Sequence, residues 1–475
     1  MKGNKGSITL FSVLSMLLIT ATLFALLEGC RRMEVSRFAD LQTKTALEAA
    51  FANYNSCLWR DYRLLGTDIS QMEKVMAKVG DGRNGDGVNM LRMEADKIEI
   101  ERVKRLTDGE GMAFIECVSN YMQKNIAYES LKELYNQYDA IKNLMDTSQM
   151  DIGNIEDAIE GLESVENKEE MGSVGTAGTK IDVVAILEEV KNWQEKGVLE
   201  LVLKDTDSVS EAEVDFEQGV SKRLLEKGNM PISQSVDWTD RVLLQQYLQS
   251  YLSNYRDCLP ERALSYELEF LLGRRSSDIE NLKIVVAKLL AIRGAANFMC
   301  VVSNPEKVAK AEALAIMCMG ASLNPALVQV IKIGLLTAWA FVESVLDVRA
   351  LLAGKRIPLL KSDEYWTSNI ENMAALTSEF AMAKECTYGV TYKGYLGILL
   401  LFEQEKQLAM HTMDLQEATI REKYGDMNFR IDALVTQAEA SIVYNYAFIF
   451  PFLEVVKAED KWPNRVLGKS NYSYY

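Results

Sequence analysis

The sequence contains almost no histidine, and its cysteines are few and far apart. Among 475 residues there is one histidine, His411, so most histidine-dependent metal sites and acid–base schemes have no residues to use. The seven cysteines never form a CxxC pair, which excludes zinc-knuckle and thioredoxin-type motifs. Because this odd, sparse set is unlike the disulfide framework of a secreted domain, we expect buried thiols, with one disulfide left open.

Signatures of nucleotide and calcium binding are also missing. The glycines never form GxxxxGK[ST], nor GxGxxG after a strand. The turn-rich stretch "DGRNGDG" (81–87) departs from the EF-hand pattern at Arg83 and Asp86. With 52 basic and 68 acidic residues the net charge is −16, which repels a phosphate backbone. We therefore predict no catalytic residue, no cofactor, no metal and no nucleic-acid partner.

Two short patterns retain some chemical interest. His411 and Asp414 are one helical turn apart and could pair, although a partly buried structural histidine is the more ordinary interpretation. The "GRR" at Gly273–Arg275 could hold an anion, although basic residues in a loop are usually just exposed. Neither pattern by itself indicates an enzyme.

A single long uncharged run lies near the N-terminus. Residues 8–27, "ITLFSVLSMLLITATLFALL", carry no charge for 20 residues, and a helix of that length spans about 30 Å of hydrocarbon. The run is longer than the apolar region of a signal peptide and no A-x-A follows it, so we predict an uncleaved anchor. Two alternatives stay open: a cleaved signal, and a lipoprotein box ending at Cys30, which would carry the lipid.

The charged residues after the run argue for a helix that continues. Apolar positions recur at spacings of three and four from Val35 to Ala52, and no glycine or proline occurs from Arg31 to Arg63. Glu28 occupies a place where a lipid box needs a small neutral residue, and it can pair with Arg31 or Arg32 at i+3 and i+4. We predict a stem helix, with these three residues at the membrane boundary.

The segment around this boundary carries a family resemblance. A glycine-led apolar helix followed by "LLEGCRRMEVSRFADLQTKTALEAAFANYNSCLWRDYRLLGTD" resembles membrane-anchored proteins of clostridial Tad/Flp-pilus-like clusters. More closely, the chain resembles an uncharacterised domain family of Gram-positive anaerobes related to TadE/TadG-like pseudopilins, with Glu28 and Arg31 in the E-x-x-R places. Further likeness lies in "YELEFLLG", "AIRGAANF" and "AWAFVESVLDVRALLAGKRIPLLKS". Type IV prepilins have a glutamate where this chain has Phe11, so prepilin-peptidase processing is not expected.

Beyond the stem the chain predicts helices for most of its length. No proline occurs before Pro231, so long helices are not interrupted there. Residues 131–195 predict a helical hairpin around a flexible connection at 167–180, with an apolar seam offered to a partner. The seam consists of Leu131, Leu134, Tyr138, Ile141, Met145, Ile155, Ile159 and Leu162.

The C-terminal half predicts a helical block and then strands. The uncharged stretch 333–342 is too short to span a membrane and indicates a buried core helix. Alternation predicts strands at about 428–437 and 440–450, pairing with a short strand at 97–104 whose alternation slips at Arg102-Val103. The predicted fold class is α+β and predominantly helical: a transmembrane helix continuing into a stem, a helical hairpin, a helical bundle and a small antiparallel sheet that includes C-terminal strands.

These features predict a consecutive series of regions. They are a short basic arm (1–7), a transmembrane anchor (8–27), a helical stem (28–70), an α+β region with the hairpin (71–230), a helical domain (231–427) and a C-terminal β-hairpin and tail (428–475).

Two functional hypotheses follow. The first is a non-enzymatic, single-pass protein of the cell membrane, with its N-terminus cytoplasmic and its bulk extracellular, that contacts the bilayer and other subunits of a Tad/Flp-like pilus or secretion apparatus. The second is an enzyme or ligand-binding sensor tethered by the same helix. An exposed apolar strip on the hairpin would favour the first. A pocket that gathers Arg274, Arg275 and nearby carboxylates would favour the second.

Overall fold

The computed structural model divides the chain into two compact units that interleave along the sequence. The first unit comprises Met1–Tyr121, Arg223–Ser235 and Asp426–Tyr475, and the second comprises Met122–Lys222 and Val236–Gly425. The structure describes residues 5–80, 93–124, 136, 138–143, 150–151, 153–163, 173–176, 179–206, 208–233, 235–319, 324–373, 376, 380–446 and 464–475.

The described residues are mostly helical, with short strands near the N-terminus, in the middle and at the C-terminus. The helices are α1 (Lys5–Ala52), α2 (Ser56–Tyr62), α3 (Ile69–Gly80), α4 (Met112–Gln123), α5 (Gly153–Glu163), α6 (Val183–Glu195), α7 (Val198–Val202), α8 (Trp238–Tyr251), α9 (Glu267–Gly273), α10 (Asp278–Val302), α11 (Pro305–Met319), α12 (Pro325–Leu352), α13 (Tyr392–Leu400) and α14 (Glu405–Tyr424). The strands are β1 (Thr67–Asp68), β2 (Met93–Arg105), β3 (Ser173–Thr176), β4 (Thr179–Asp182), β5 (Leu434–Tyr446) and β6 (Asn464–Ser473). The predicted α+β, predominantly helical fold is confirmed.

In the first unit, helix α1 packs on an antiparallel sheet. Strand β5 is central and pairs with β2 on one side and with β1 and β6 on the other. Alternate β5 residues such as Ile442 and Tyr444 are buried in one apolar cluster with Val35, Ala39 and Leu47 of α1. Gly468 of β6 lies so close to the Ala39 carbonyl that a Cβ there would collide with it. Glycine at this place therefore lets the helix backbone lie directly on the sheet.

The sheet confirms one strand prediction and corrects another. The strand expected at 97–104 is β2, and it pairs with the C-terminal strand as predicted. The slip at Arg102-Val103 corresponds to a register shift between Ile100 and Arg102, a β-bulge. The two strands predicted at 428–437 and 440–450 are wrong, because the structure has one strand, Leu434–Tyr446, across both. The alternation runs through Ala438 and Ala440 with no turn residue between them.

The apolar helix continues for several turns past the membrane boundary, as predicted, but one helix does not fill the predicted stem region 28–70. Helix α1 ends at Ala52, and the chain restarts as α2 at Ser56. Asn55 is the N-cap of α2, with its side chain accepting a hydrogen bond from the Leu58 amide at 2.8 Å. Asparagine side chains compete for backbone hydrogen bonds, which ends the first helix without glycine or proline.

In the second unit, long helices form the core. The stretch 333–342 lies within α12, a 28-residue helix whose residues from Gly334 to Leu352 are buried, so the predicted core helix is confirmed. Both α10 and α12 are long and apolar enough to cross a membrane, but 61% of the most apolar window of each is buried in the protein.

A fully buried ionic network joins these two core helices. Arg293 of α10 bonds Asp347 of α12 through Nε at 2.9 Å, and Lys361 pairs with both Asp347 and Glu343. All four side chains are inaccessible to solvent. Burial alone would raise the pKa of Asp347, but Arg293 and Lys361 hold it below the usual range. Two cations thus face two carboxylates, and the buried charges balance.

The predicted flexible connection of the hairpin is also corrected. Helices α5 and α6 pack against each other, but the described part of 167–180 contributes to a two-stranded antiparallel ribbon, β3 with β4. The sequences "SVGT" and "TKID" are rich in β-branched residues, which favours strands over a disordered linker.

Candidate functional site

The first half of α1 exposes an apolar surface along its length. From Ile8 to Leu27 the large side chains are mostly more than half exposed, including Ile8, Leu10, Phe11, Val13, Leu14, Met16, Leu17, Leu18, Ile19, Leu23, Leu26 and Leu27. The most apolar window of this helix has no residue buried by the rest of the protein. In water such a surface would be very unfavourable. The N-terminal helix is therefore long and apolar enough to span a membrane.

A buried ion pair marks the point where the exposed run ends. Glu28 Oε1 and Arg31 Nη1 are 2.8 Å apart, and both side chains are less than one-tenth exposed. The Arg31 guanidinium also lies 5.7 Å from the centre of the Tyr446 ring, at the end of β5. The predicted i, i+3 pairing is thus confirmed with Arg31, while Arg32 is exposed. From Val35 onward one face of α1 is buried against the sheet.

The cysteines are thiols in this structure. All seven are among the described residues, and none is in a disulfide. Cys30 is exposed on α1, and the helix passes through it without a break. Cys117, Cys318 and Cys386 are buried, and burial raises the pKa of the Cys117 thiol, which makes it unreactive.

The hairpin seam is core rather than free surface. Tyr138 packs between the rings of Trp238 and Phe402, at centroid distances of 5.2 and 4.8 Å. Ile141 and Ile155 are fully buried, and Ile159 and Leu162 are nearly so. Leu131, Leu134 and Met145 lie outside the described residues. The seam prediction is corrected for the four described isoleucine and leucine residues, which bury their apolar area within this chain, whereas Tyr138 is half-buried.

A charged cavity of about 600 Å³ lies in the second unit, at the "GRR" loop. It opens beside Arg274 and Arg275, and its wall is formed by two loops, 213–222 and 274–276, and by three helices, α9, α10 and α14. The lining residues are Glu213, Asp215, Phe216, Glu217, Ser221, Lys222, Phe270, Arg274, Arg275, Ser276, Glu280, His411 and Asp414. The pocket of arginines and carboxylates that would favour a ligand-binding protein is therefore present.

The pocket holds the chain's one histidine in a fixed orientation. His411 Nδ1 is 3.2 Å from Asp414 Oδ2, so the predicted pairing across one helical turn is confirmed. Asp414 is almost fully buried and also accepts hydrogen bonds from the Ser221 amide at 3.0 Å and the Ser221 hydroxyl at 2.6 Å. The edge of the Phe270 ring packs against the imidazole, with centroids 6.0 Å apart. Asp414 thus orients His411 and leaves its Nε2 atom for other contacts.

This arrangement is not a catalytic triad. In a triad the serine hydroxyl bonds the histidine, which removes its proton. Here the Ser221 hydroxyl donates to the carboxylate instead, and the Ser276 hydroxyl donates to Glu213 at 3.2 Å. Both hydroxyls that line the cavity therefore donate to acids, and neither is prepared as a nucleophile.

Basic residues at and near the cavity form ion pairs with carboxylates. Arg274 bonds Glu403 at 2.6 Å, and Lys288 holds the other oxygen of that carboxylate at 2.9 Å. Lys222, which also lines the cavity, pairs with Glu217. These contacts fix charges of both signs around one opening, which suits a charged or zwitterionic small ligand. In the described part of the chain no group of three or more histidine, cysteine or acidic residues is placed to hold a metal ion.

Part of this pocket was predictable from the sequence. Local patterns singled out Arg274, Arg275 and the pairing of His411 with Asp414, but they missed the loop that carries Glu213 and Ser221. That loop is fixed by a bridge between Glu213 and Ser277 and by the contact of Ser221 with Asp414, 193 residues away. The polar turn formers "KDTDSVSE" (204–211) lie just before this loop and predict a turn but no partner for Glu213 or Ser221.

Comparisons with known proteins gave a match to one family model. The model of a family described as "Family of unknown function (DUF5702)" matches residues 179–446, more than half of the chain. The comparisons with curated proteins and with solved structures gave no match. The expected likeness to an uncharacterised domain family is confirmed in this form, and its kinship with TadE/TadG-like pseudopilins stays a prediction.

Proposed function

Because the chain belongs to the family of unknown function DUF5702, which supplies no activity, we propose a function from the architecture itself. The protein is a membrane-anchored, non-enzymatic component or assembly factor of an envelope apparatus of the Tad/Flp pilus or secretion type. It acts by holding a folded body at the membrane surface and by packing against other subunits.

One observation carries this proposal: α1 is a single helix with two environments. Its first half exposes apolar side chains along about 20 residues, and its second half is part of the core of the first unit. At 1.5 Å per residue its 48 residues extend about 72 Å. Because the same helix is both anchor and core, the folded body cannot rotate freely about a flexible tether, which suits a part that must be positioned in an assembly.

The topology we propose is single-pass, with the N-terminus in the cytoplasm and the body outside. The helices α10 and α12 are apolar enough to span, but they hold Arg293 and Asp347 in a network that needs the surrounding protein. Transferring these charged side chains into the hydrocarbon core of a membrane would cost free energy, so we place both helices in the folded body.

The lateral contacts we propose lie on the membrane segment and at its boundary. The exposed residues of 8–27 face lipid or neighbouring helices, and Arg32 is exposed beside the buried Glu28–Arg31 pair. Without a hydrophobic driving force in lipid, association depends on close packing and on polar groups at the boundary. The E-x-x-R likeness to pseudopilins supports the same location.

Cysteine accessibility tests the topology. Cys258 is exposed on the second unit, whereas Cys318 is buried in the same unit. A membrane-impermeant maleimide added to intact cells should modify Cys258 and leave Cys318 unmodified, as read by peptide mass spectrometry. Modification of Cys258 only after cell lysis would overturn the proposed orientation.

Crosslinking in native membranes tests the assembly role. Residue-resolved crosslinks from Arg32→Lys variants, identified by mass spectrometry, should join α1 to other membrane subunits that carry a single N-terminal apolar helix. Crosslinks confined to abundant unrelated membrane proteins, at yields that follow their abundance, would contradict the proposal.

The charged cavity supports a second candidate function, a tethered sensor of a small charged ligand. Since His411 is the chain's only histidine and lines the cavity, histidine-selective isotope labelling gives one imidazole signal from the full chain in nanodiscs. A screen of amino acids and short peptides that shifts this signal in the native protein, but not in Arg275→Gln, would favour the sensor. A signal that no such compound shifts would leave the assembly role as the better account.

A further inference from the structure

A second cavity, of about 570 Å³, lies along helix α10 in the second unit and is apolar for most of its length. Its floor is one face of α10, formed by Ala287, Ala291, Gly294 and Ala295, which follow at helical spacing. These side chains are small, so the floor is a groove rather than a ridge. The volume is within the range of pockets that hold small ligands.

Bulkier apolar groups form the walls of this groove. Leu290 of α10, Leu201 of α7 and Phe341 of α12 line it, and Met150 closes it over Gly294. A Cβ at Gly294 would lie 3.0 Å from the Met150 sulfur, so glycine there keeps the groove deep at this point. The described lining is mostly aliphatic, with Phe341 as its one aromatic side chain, which suits a flexible hydrocarbon chain.

One end of the groove is polar. Gln194, at the end of α6, lines the cavity, and its Nε2 atom is buried without a hydrogen-bond partner. Lys196, two residues further along the chain and exposed, also lines the cavity, and among the described residues no carboxylate forms an ion pair with it. A buried donor without a partner is unfavourable, so an acceptor supplied by a ligand would stabilise the site.

We propose that this groove binds one long-chain fatty acid, with its hydrocarbon tail along α10 and its carboxylate at Gln194 and Lys196. The amide donates a hydrogen bond and the ammonium supplies the opposite charge, which is the complement of a carboxylate. The proposal is independent of the pilus-type assembly role, since it concerns a ligand of the second unit and not the contacts of α1.

The ligand class follows from the unequal polarity of the two ends. A neutral hydrocarbon would leave Gln194 Nε2 without a partner. An amphipathic helix of a partner protein would bring several polar groups to a lining whose described polar side chains are one amide and one ammonium. A fatty acid matches all three features, because its single chain fills the apolar groove and its single carboxylate contacts both Gln194 and Lys196.

Photolabelling of the full chain in nanodiscs tests the proposal. The probe is a palmitic acid analogue with a diazirine in its tail, and labelled peptides are mapped by mass spectrometry. We expect label on the peptides that contain Ala287–Ala295 and Leu201, and also on the membrane segment of α1, which serves as an internal control because it contacts lipid in every variant.

Two variants and one matched control separate the contributions. Ala291→Trp fills the exposed floor of the groove and should abolish groove labelling. Lys196→Gln removes the charge and should weaken competition by unlabelled palmitate roughly tenfold, the effect of losing one charge-assisted contact. Lys204→Gln removes an exposed lysine that does not line the cavity and should change nothing.

Three results would overturn the inference. Label confined to α1 would mean that the groove takes no fatty acid. Groove label that is equal for the acid and for the corresponding alcohol, and insensitive to Lys196→Gln, would mean that the carboxylate is not recognised. Groove label that appears only with a two-chain phospholipid probe would assign the site to membrane lipid instead.

Discussion

The two units of the molecule use charge and hydrophobicity in opposite ways. The first unit exposes its most apolar residues, on α1, and buries few charges beyond the pair of Glu28 and Arg31 and the cluster at Asp432. The second unit buries its apolar helices and, with them, a network of four charges, and it gathers more charges around an open cavity. The comparison teaches that the apolar surface of α1 comes from one continuous segment, whereas the charged cavity is built from residues brought together from distant parts of the chain.

The largest expected effect comes from the buried network of the second unit. Asp347→Ala leaves Arg293 and Lys361 buried without their shared carboxylate, which should destabilise this unit by about 3–5 kcal/mol. Hydrogen exchange of the full chain in nanodiscs should become faster in α10 and α12 and stay unchanged in β5.

An exposed aspartate provides the control for that prediction. Asp363→Ala removes an ion pair with Lys307 at the surface and should cost no more than about 1 kcal/mol. Equal effects of Asp347→Ala and Asp363→Ala, or faster exchange in β5, would contradict the distinction between a buried network and the rest of the chain.

The next effect concerns the membrane segment of the first unit. Leu17→Arg places a charge at the middle of the apolar run, which should disfavour insertion by about 2.5–3.5 kcal/mol. The fraction of protein that stays with carbonate-washed membranes should fall. Leu224→Arg changes a leucine of the same unit that is 92% exposed, and membrane retention should not change. The anchor assignment fails if the two variants behave alike.

A pH dependence should distinguish the second unit further. Burial raises the pKa of Glu269 from 4.5 to about 7, although the Tyr255 amide and the Tyr392 hydroxyl donate hydrogen bonds to its carboxylate. The folded state therefore keeps the proton that the unfolded state loses. The stabilising contribution is complete below pH 4.5 and is lost as the pH rises through about 7, by about 3 kcal/mol in total.

Glu269→Gln should remove this pH dependence, because glutamine does not titrate. Stability of the second unit, measured by hydrogen exchange in α9 at several pH values, should be nearly flat in the variant over that range. Glu261→Gln, at an exposed site, should retain the native slope. A native slope in Glu269→Gln would mean that another group titrates.

The smallest effect tests how α1 lies on the sheet. Gly468→Ala adds a Cβ against the Ala39 carbonyl, which is backbone and has little room to move, so we expect a cost of about 1–3 kcal/mol in the first unit. Gly29→Ala adds the same group where no atom lies within 4 Å and should be neutral or slightly stabilising. Hydrogen exchange of the β6 amides, measured at several denaturant concentrations, compares the stability of the two variants. Equal stability would argue against close helix–sheet contact.

Local patterns predicted those parts of the fold that depend on neighbouring residues. The length of the uncharged run predicted the exposed half of α1, and the i, i+3 spacing predicted the pair of Glu28 and Arg31. Alternation predicted that β2 and β5 would be strands, although not that β5 would be one strand. The end of α1 was missed because Asn55 acts through a side-chain hydrogen bond that periodicity does not record.

The features that the sequence did not predict depend on contacts between residues far apart in the chain. An apolar stripe such as Ile155 and Ile159 has the same pattern whether it meets a partner or the chain's own helix α12, and here α12 covers it. The charged cavity needed Ser221 beside Asp414 and Glu213 beside Ser276, and no spacing rule connects those pairs. Local patterns therefore predicted the apolar helix and only a minority of the residues that line the pocket.

The central claim is that α1 remains whole, with its apolar half in the membrane and its second half in the folded body. Intact-mass measurement of the protein extracted by detergent from carbonate-washed membranes tests it most directly. We predict a mass that includes residues 8–27 with Cys30 unmodified. A mass lacking those residues, an acyl group on Cys30, or the whole chain in the carbonate supernatant would contradict the account.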